Sequence, residues 1–588
     1  MVRTRVRCAA AAAAVACCTQ PAAAVTQYGT VVYSATPAGV AAAVAAAANG
    51  AHRVALVEPL ANIGGMGAAG GLGLHDQQMA NLTMVTGLAR DWAERNARYY
   101  PGSDSELVHH PDMYVAEASF REMVADAKSV ELLAGCRLES VRRDAARLRA
   151  IAAITVLCSE ESEGGGGRRV ELAASLFVDA SYDAEVVVGA GGVDTAWGRE
   201  SRSTYGEPLA GAQYTQYGIE SFDALGGAVS GTRPDGTVLR YVERGAPPPE
   251  GTADDALMAF QHRACVTPDA NNSVPFPAPP GYDPAHFALL QQQLDAAVAT
   301  GLYPQGPPLD WFLDLGRYAD AVFAAGRRKF VVCCGAAPVN SDQPGLNKLW
   351  AVADHSQRQA MVADHRYYLQ GSLYYMANEP AVPNATRASV SAYGLCADEW
   401  PDNGHWPPQL YVRSSVRLVG DYVMTQNNLA APRSKPDAVV CACWELDQHL
   451  TTRHALMYPP SGPAIHGAFN EGFFRHAIDP AVPPSDTKSG MRPFELWYDI
   501  PYRAMLPKRE QASNLLVPVA LSASSVAMSS ARIETAYMGT GAAAGVAARQ
   551  VMLAAEGGAA LDVQDVNVTK VQEALRDEYR QRTHGPFW

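Results

Sequence analysis

An α/β fold, with a parallel sheet in one discontinuous domain and a second α+β domain inserted into it, is predicted by three features of this sequence. Strand, tight turn, helix and strand follow one another without a gap from Thr30 to Glu58. Alternating α and β signals continue to Asp179, after which the middle of the chain is irregular and rich in aromatic residues. An Ala/Gly-rich helical stretch then returns at Thr535 to Ala555, as expected if the first domain is completed late.

The 588 residues exceed what one hydrophobic core serves, and chains of this length divide into about two to four units. Two large units are expected: residues 25–215 closed by 501–556, with 216–500 inserted between them and 557–588 as a tail. With 48% hydrophobic and 18% charged residues, the composition is that of a globular protein. No apolar run approaches the roughly 20 residues that span a bilayer. A formal charge of -13 and the lack of a basic stripe argue against nucleic acid as a partner. Neither a membrane nor nucleic acid is therefore expected; a small molecule is.

Arg3, Arg5 and Arg7 precede an apolar run from Cys8 to Cys18 and then Ala22, Ala23 and Ala24. That order predicts a secretory signal peptide over 1–24 and a secreted or lumenal protein. An organelle transit peptide is the alternative, because the first acidic residue is Glu58. Sequons at Asn81, Asn271, Asn384 and Asn567 fit a glycoprotein. The eight cysteines beyond the leader permit disulfides without fixing them, and buried thiols are an equal reading. The spacings Cys333-Cys334 and Cys441-x-Cys443 are not those of a zinc site, so no metal is expected.

Thr30-Val-Val-Tyr-Ser34 suits a buried parallel strand. Pro37 suits a first helical turn, Asn49-Gly50 a helix end, and Arg53-Val-Ala-Leu-Val-Glu58 a second strand. Glu58 stands 19 residues beyond Gly39, near the distance at which an acidic side chain binds a ribose. The helix N-terminus offers N-H groups to a pyrophosphate. Aligning Gly39 with the third glycine of the dinucleotide fingerprint places Ser34 and Thr36 where the first two would stand. The loop Pro59-Leu-Ala-Asn-Ile-Gly-Gly-Met-Gly-Ala-Ala-Gly-Gly-Leu-Gly73 implies close backbone approach to a ligand. Leu148 to Leu157 and Val170 to Asp179 read as strands joined by the hairpin tip Glu163 to Arg169.

These residues resemble the FAD-dependent oxidoreductase family that opens with a Gly-Ala-Thr-Pro-Ala-Gly turn and a Gly-Gly-Met loop. Its FAD domain is a glutathione-reductase-like Rossmann fold, a parallel sheet with helices and a β-meander. Further matching segments are Phe177 to Asp183, Gly198 to Glu207, Val274 to Pro277, Gly281 to Asp283, Trp406 to Arg413, Ile500 to Arg503, Asn514 to Pro518 and Arg532 to Gly541. The resemblance implies FAD as cofactor. Ser34, Thr36, Ala38 and Gly39 would meet its pyrophosphate with Pro37 in the same turn, and Glu58, beside Pro59, its ribose. Gly65 and Met66 would lie on the flavin side. Asp179 and Ala180 would face the ribityl or phosphate region, and Met538, Gly539 and Gly541 would line the ring. The chain departs from the family at Phe330-Val-Val-Cys-Cys334, where relatives carry a polar segment, and at Ser414, where an acid is usual.

For the proton that accompanies hydride transfer, the middle region offers Tyr411, Arg413 and His449 as catalytic candidates. Tyr411 and Arg413 are one strand step apart and can share a face, and an arginine beside a flavin binds carboxylates. An internal ion pair is the competing role for Arg413, and a structural one for His449. No Gly-x-Ser-x-Gly elbow, Walker loop or His-Glu-x-x-His helix is present. The expected activity is hydride transfer between flavin N5 and a small organic substrate. The alternatives are a redox-inactive binding protein of the same fold and a flavin monooxygenase using NAD(P)H.

Overall fold

The structure, a computed structural model, describes residues 25–48, 50, 52–76, 82–159, 167–214, 221–245, 247–455, 467–478 and 497–585. The expected leader, Asn81 and most of the hairpin tip at 163–169 lie outside the described residues.

The first sheet is built as the sequence predicts. Strand β1 (Val25–Tyr33) leads through Ser34 to Thr36 into helix α1 (Pro37–Ala47) and on to β2 (Val54–Glu58). The Thr36 hydroxyl caps α1 by accepting from the Gly39 N-H at 3.2 Å. Helices α2 (Gly87–Ala97) and α3 (Met113–Asp126) precede β3 (Val130–Ala134), β4 (Cys136–Arg143), β5 (Ile151–Cys158) and β6 (Arg168–Asp179). Their order is β3-β2-β1-β6-β5-β4. The first four run parallel, Thr30 facing Val54 and Tyr33 facing Asp179, while β4, β5 and β6 form an antiparallel meander. Helix α4 (Glu185–Ala190) follows β6.

The second sheet is wholly antiparallel. It contains β7 (Cys265–Thr267), β8 (Ser273–Val274), β9 (Leu313–Arg317), β10 (Phe330–Cys334) and β11 (Gly394–Cys396), in the order β8-β11-β7-β10-β9. Helix α5 (His355–Asn378) lies between β10 and β11 in sequence. Its Leu369 and Leu373 share a core with Phe276, Phe287, Trp311 and Trp406, apart from the core around α1.

Strands β12 (Ala438–Cys443) and β13 (Trp497–Pro501) pair with each other. Their Val439, Val440, Tyr498 and Ile500 belong to the α1 core, so residues expected within the inserted stretch pack on the first sheet's side. Strand β14 (Leu515–Leu516) rejoins the first sheet, Leu515 facing Phe177 of β6. Helix α6 (Glu534–Glu556) then packs on α1 at backbone distance: a Cβ on Gly541 would stand 2.1 Å from the Ala38 carbonyl, and one on Gly545 2.3 Å from that of Ala42. Only the smallest side chains allow this, which explains the Ala/Gly composition of both helices. Where a tail was expected, helix α7 (Val568–Tyr579) buries Val571 and Leu575 in the same core.

Four cysteines form disulfides, Cys136 with Cys158 and Cys265 with Cys396. Among the described residues no helix is long and apolar enough to cross a membrane.

Candidate functional site

The β1–α1 turn is stretched over a buried carboxylate. Ala35 N-H donates to Glu58 Oε2 at 2.7 Å, Ser34 Oγ to the same oxygen at 3.2 Å, and Leu60 N-H to Oε1 at 3.0 Å. Burial pushes the Glu58 carboxyl up to about 7. Ser34 adopts φ 71°, the left-handed conformation that glycine takes without cost. A Cβ on Gly39 would lie 1.9 Å from the Ser34 carbonyl oxygen, so only glycine fits there. The glycine loop folds back on this turn, Gly64 N-H donating to the Ala35 carbonyl at 2.7 Å.

Several hydroxyls and carboxylates serve the protein itself. The Thr36 hydroxyl donates to the Ala180 carbonyl at 2.8 Å while capping α1, and Ser34 binds Glu58, so neither is aimed outward as a pyrophosphate ligand was expected to be. Asp179 accepts from Ser181 N-H and Oγ and from Val187 N-H, which ties it to the start of α4. The space beside Gly541 is filled by the Ala38 backbone and that beside Gly539 by Val440. Both glycines therefore serve packing on the side where a Cβ would stand. Met538 is buried in the α1 core.

At the first residue of α6, Glu534 accepts from the Tyr182 hydroxyl at 2.9 Å, and that hydroxyl accepts from the Met66 N-H at 3.0 Å. This relay joins the Gly65-Met66 turn to the N-terminus of α6. A Cβ on Gly65 would stand 2.7 Å from the same hydroxyl. The second oxygen of Glu534 is buried with no hydrogen-bond partner. Burial pushes its carboxyl up to about 8, against the helix N-terminus that favours its ionised form.

Tyr411 packs against Met66, Leu72 and Tyr182. Three guanidinium groups surround its ring, Arg413 at 4.8 Å, Arg263 at 5.3 Å and Arg532 at 5.8 Å from the centroid. Tyr411 and Arg413 thus share a face as their spacing predicts. Arg532 Nη1 donates to the Tyr411 hydroxyl at 2.6 Å, and burial pushes that hydroxyl up to about 12. Arg413 is engaged by Asp342 at 2.9 Å and by the Ala259 carbonyl. His449 sits between Asp342 at 2.7 Å and Asp447 at 3.4 Å. Burial and Arg413 press its imidazole down, and the two carboxylates outweigh them and raise it. Arg413 and His449 are members of an internal ion-pair network rather than freely acting groups. Arg263 differs in lacking a close carboxylate: it reaches Asp76 only at 4.0 Å and the Val332 carbonyl at 3.5 Å, while its Nε, like those of Arg413 and Arg532, is buried with no partner.

Residues 30–575 match the profile of a family described as FAD dependent oxidoreductase. The chain belongs to this family. No curated protein matches it closely enough to count as a relative. Solved structures that match part of the chain include OxyS anhydrotetracycline hydroxylase from Streptomyces rimosus, at 16% identity over 33% of this chain and 42% of that one, TM-score 0.22. The 3-ketosteroid-delta4-(5alpha)-dehydrogenase from Rhodococcus jostii RHA1 matches at 15% over 31% and 56%, TM-score 0.19. L-proline dehydrogenase from P. horikoshii matches at 13% over 30% and 25%, TM-score 0.17. Each match spans less than two thirds of the neighbour's length.

The chain thus belongs to a family of FAD-dependent oxidoreductases, and its residues fit that cofactor. Left-handed Gly64 and Gly65, at φ 91° and 45°, bring the loop backbone close against Phe120, Tyr182 and Thr36 beside α1. The unpartnered oxygen of Glu534 stands at the N-terminus of α6, and Glu58 closes the β2 side. Glu534, Tyr182, Arg263 and Arg532 were given no role by sequence reasoning. An acid opening a helix looks like an ordinary dipole partner, and only burial marks Glu534 as different.

Proposed function

We propose that this enzyme exchanges a hydride between FAD and a small organic molecule bearing a carboxylate, held beside Tyr411. The observation that carries this reading is the under-partnered, buried Arg263 next to Tyr411 and Arg532. A desolvated guanidinium with an unused N-H is the group that a planar carboxylate satisfies, and the two interact in a charge-assisted pair. Bound FAD supplies the two-electron acceptor ring, and the chain supplies the rest. The β1–α1 turn with Gly39, and the Gly64-Gly65 loop folded on it, hold the dinucleotide. Arg263 orients the substrate. The Tyr411 hydroxyl, kept protonated by burial and oriented by Arg532, holds a proton at the substrate side. Glu534, neutral below about 8, holds another at the α6 side.

Anaerobic mixing of the flavin-loaded enzyme with 2-hydroxy, 2-amino and α,β-unsaturated acids, and with their esters, tests this. Flavin bleaching or reoxidation by acids but not by esters supports it. Response to neutral polyols or steroids alone refutes the carboxylate reading, and bleaching by NADPH alone favours a monooxygenase.

We also propose a secretory route for the chain. The exposed sequons at Asn271 and Asn384 and the two disulfides support it. A mass decrease on endoglycosidase treatment of protein from a eukaryotic host checks it.

A further inference from the structure

Among the described residues two close pairs of cysteines lie outside the disulfides, and they sit in opposite surroundings. Cys441 and Cys443 lie on β12, both buried, and burial pushes both thiols well up, Cys443 to about 12. Such thiols are inert hydrophobes. Cys333 and Cys334 end β10, and both keep accessible surface although Val331 and Val332 before them are fully buried. The Cys333 sulfur stands beside Gln261 and under the charge of Arg263.

The surroundings of this second pair are polar and cationic. The Cys334 thiol hydrogen-bonds Cys333, Gln261 Nε2 donates to Cys333 Sγ at 3.8 Å, and Arg263 adds positive charge. Together the Cys334 hydrogen bond and Arg263 outweigh burial and bring the Cys333 thiol down to about 6. The Cys334 sulfur lies within 4.8 Å of a carboxylate oxygen of Asp342 and a ring nitrogen of His449. A cation is a poor occupant, since Asp342 already pairs with Arg413 and His449, and Arg475 and Arg532 engage the adjoining Asp447. A partly accessible thiolate in electropositive surroundings with a second thiol beside it is the arrangement of a nucleophile and its resolving partner.

We propose that Cys333 and Cys334 form a redox-active dithiol that reduces a low-molecular-weight disulfide bearing carboxylates, admitted to the space beside Arg263. The Cys333 thiolate attacks one sulfur of the substrate disulfide, whose S–S bond breaks to release the first thiolate. The Cys334 sulfur then attacks Cys333 in the mixed disulfide, breaking that bond, and its proton passes to the second leaving thiol. The two protein thiols are oxidised to one disulfide, and the substrate gains two electrons. Neighbouring Cα atoms stand about 3.8 Å apart, short of the roughly 4.4–6.8 Å that disulfides usually span. The ring formed is strained, so an added dithiol such as dithiothreitol reopens it.

The test uses the full chain with excess oxidised glutathione under anaerobic conditions, acid-quenched and mapped by mass spectrometry. The wild type is expected to lose two hydrogens in the peptide holding residues 333–334, with both disulfides unchanged. Cys334→Ser should trap glutathione on Cys333, and Cys333→Ser should react about tenfold more slowly or not at all. Melting curves and FAD content report folding of each variant. Trapping at Cys334 in folded Cys333→Ser at the wild-type rate, reaction at Cys441 or Cys443 instead, or oxidation by hydrogen peroxide but not by glutathione disulfide would each overturn the proposal. A wild type that stays unmodified would do the same.

Discussion

The contact of α1 with α6 and the cluster around Tyr411 are both almost fully buried, yet they are held by opposite means. The first is backbone against backbone, made of Ala and Gly with no charged side chain between Ala38 and Gly541. The second is a knot of Arg263, Arg413, Arg475, Arg532, Asp342, Asp447 and His449, in which most charges find partners far away in sequence. Small residues tolerate no added volume, whereas paired charges tolerate no lost partner. The helix pair therefore fixes where the β1–α1 turn lies, and the charge cluster fixes the surroundings of Tyr411.

Substitutions separate the two kinds of stability. Gly541→Val drives a branched side chain into the Ala38 carbonyl. It is expected to cost about 3 kcal/mol or more in urea unfolding and to abolish FAD retention. Arg413→Met leaves Asp342 buried without its guanidinium partner, with an expected loss of about 3–5 kcal/mol. Pairing it with Asp342→Asn should restore part of that loss; a double variant no more stable than the single one would remove Arg413 from the network.

Tyr411→Phe keeps the ring and deletes the proton. Stability and FAD content should change little while kcat falls about 100-fold. An unchanged kcat would take Tyr411 out of the chemistry.

Glu534 offers a pH test. Its folded-state carboxyl titrates near 8 and its unfolded one near 4.5, so the native state holds the proton more tightly. That contribution is fully present below about 4.5 and is lost as pH rises through about 8. The part of the melting-temperature decline across this window that Glu534 contributes should vanish in Glu534→Gln. A parallel decline in both proteins would contradict the assignment.

Smallest is Ser34→Gly, which relieves a left-handed serine. It should retain FAD and gain at most about 1 kcal/mol, less the Ser34–Glu58 bond.

The helix-pair region was legible from sequence because its determinants are local. A β-branched strand, Pro37, Gly39 and Glu58 fall in one short stretch, and the return of Ala and Gly at α6 announces its partner. Two of the three meander strands, β5 and β6, also fell close to the segments read from sequence, whereas β4 was not read. The site was less legible. Tyr411 and Arg413 were found through their shared strand face, but Arg263 and Arg532 come from distant segments. Their convergence depends on how two sheets are placed, which no periodicity reports. Ser34, Thr36, Asp179, Gly539 and Gly541 carry residue types that suit a ligand equally well, and only the structure shows their bonds and space turned to the protein.

The most direct test of the account is the flavin content of purified wild-type, Ser34→Gly and Gly39→Val protein, read from the absorbance of FAD released on heating. Equimolar FAD in the first two, and its loss in Gly39→Val, is the predicted result. No FAD in the wild type even after reconstitution, or equal FAD in all three, would contradict the placement of the dinucleotide at the β1–α1 turn.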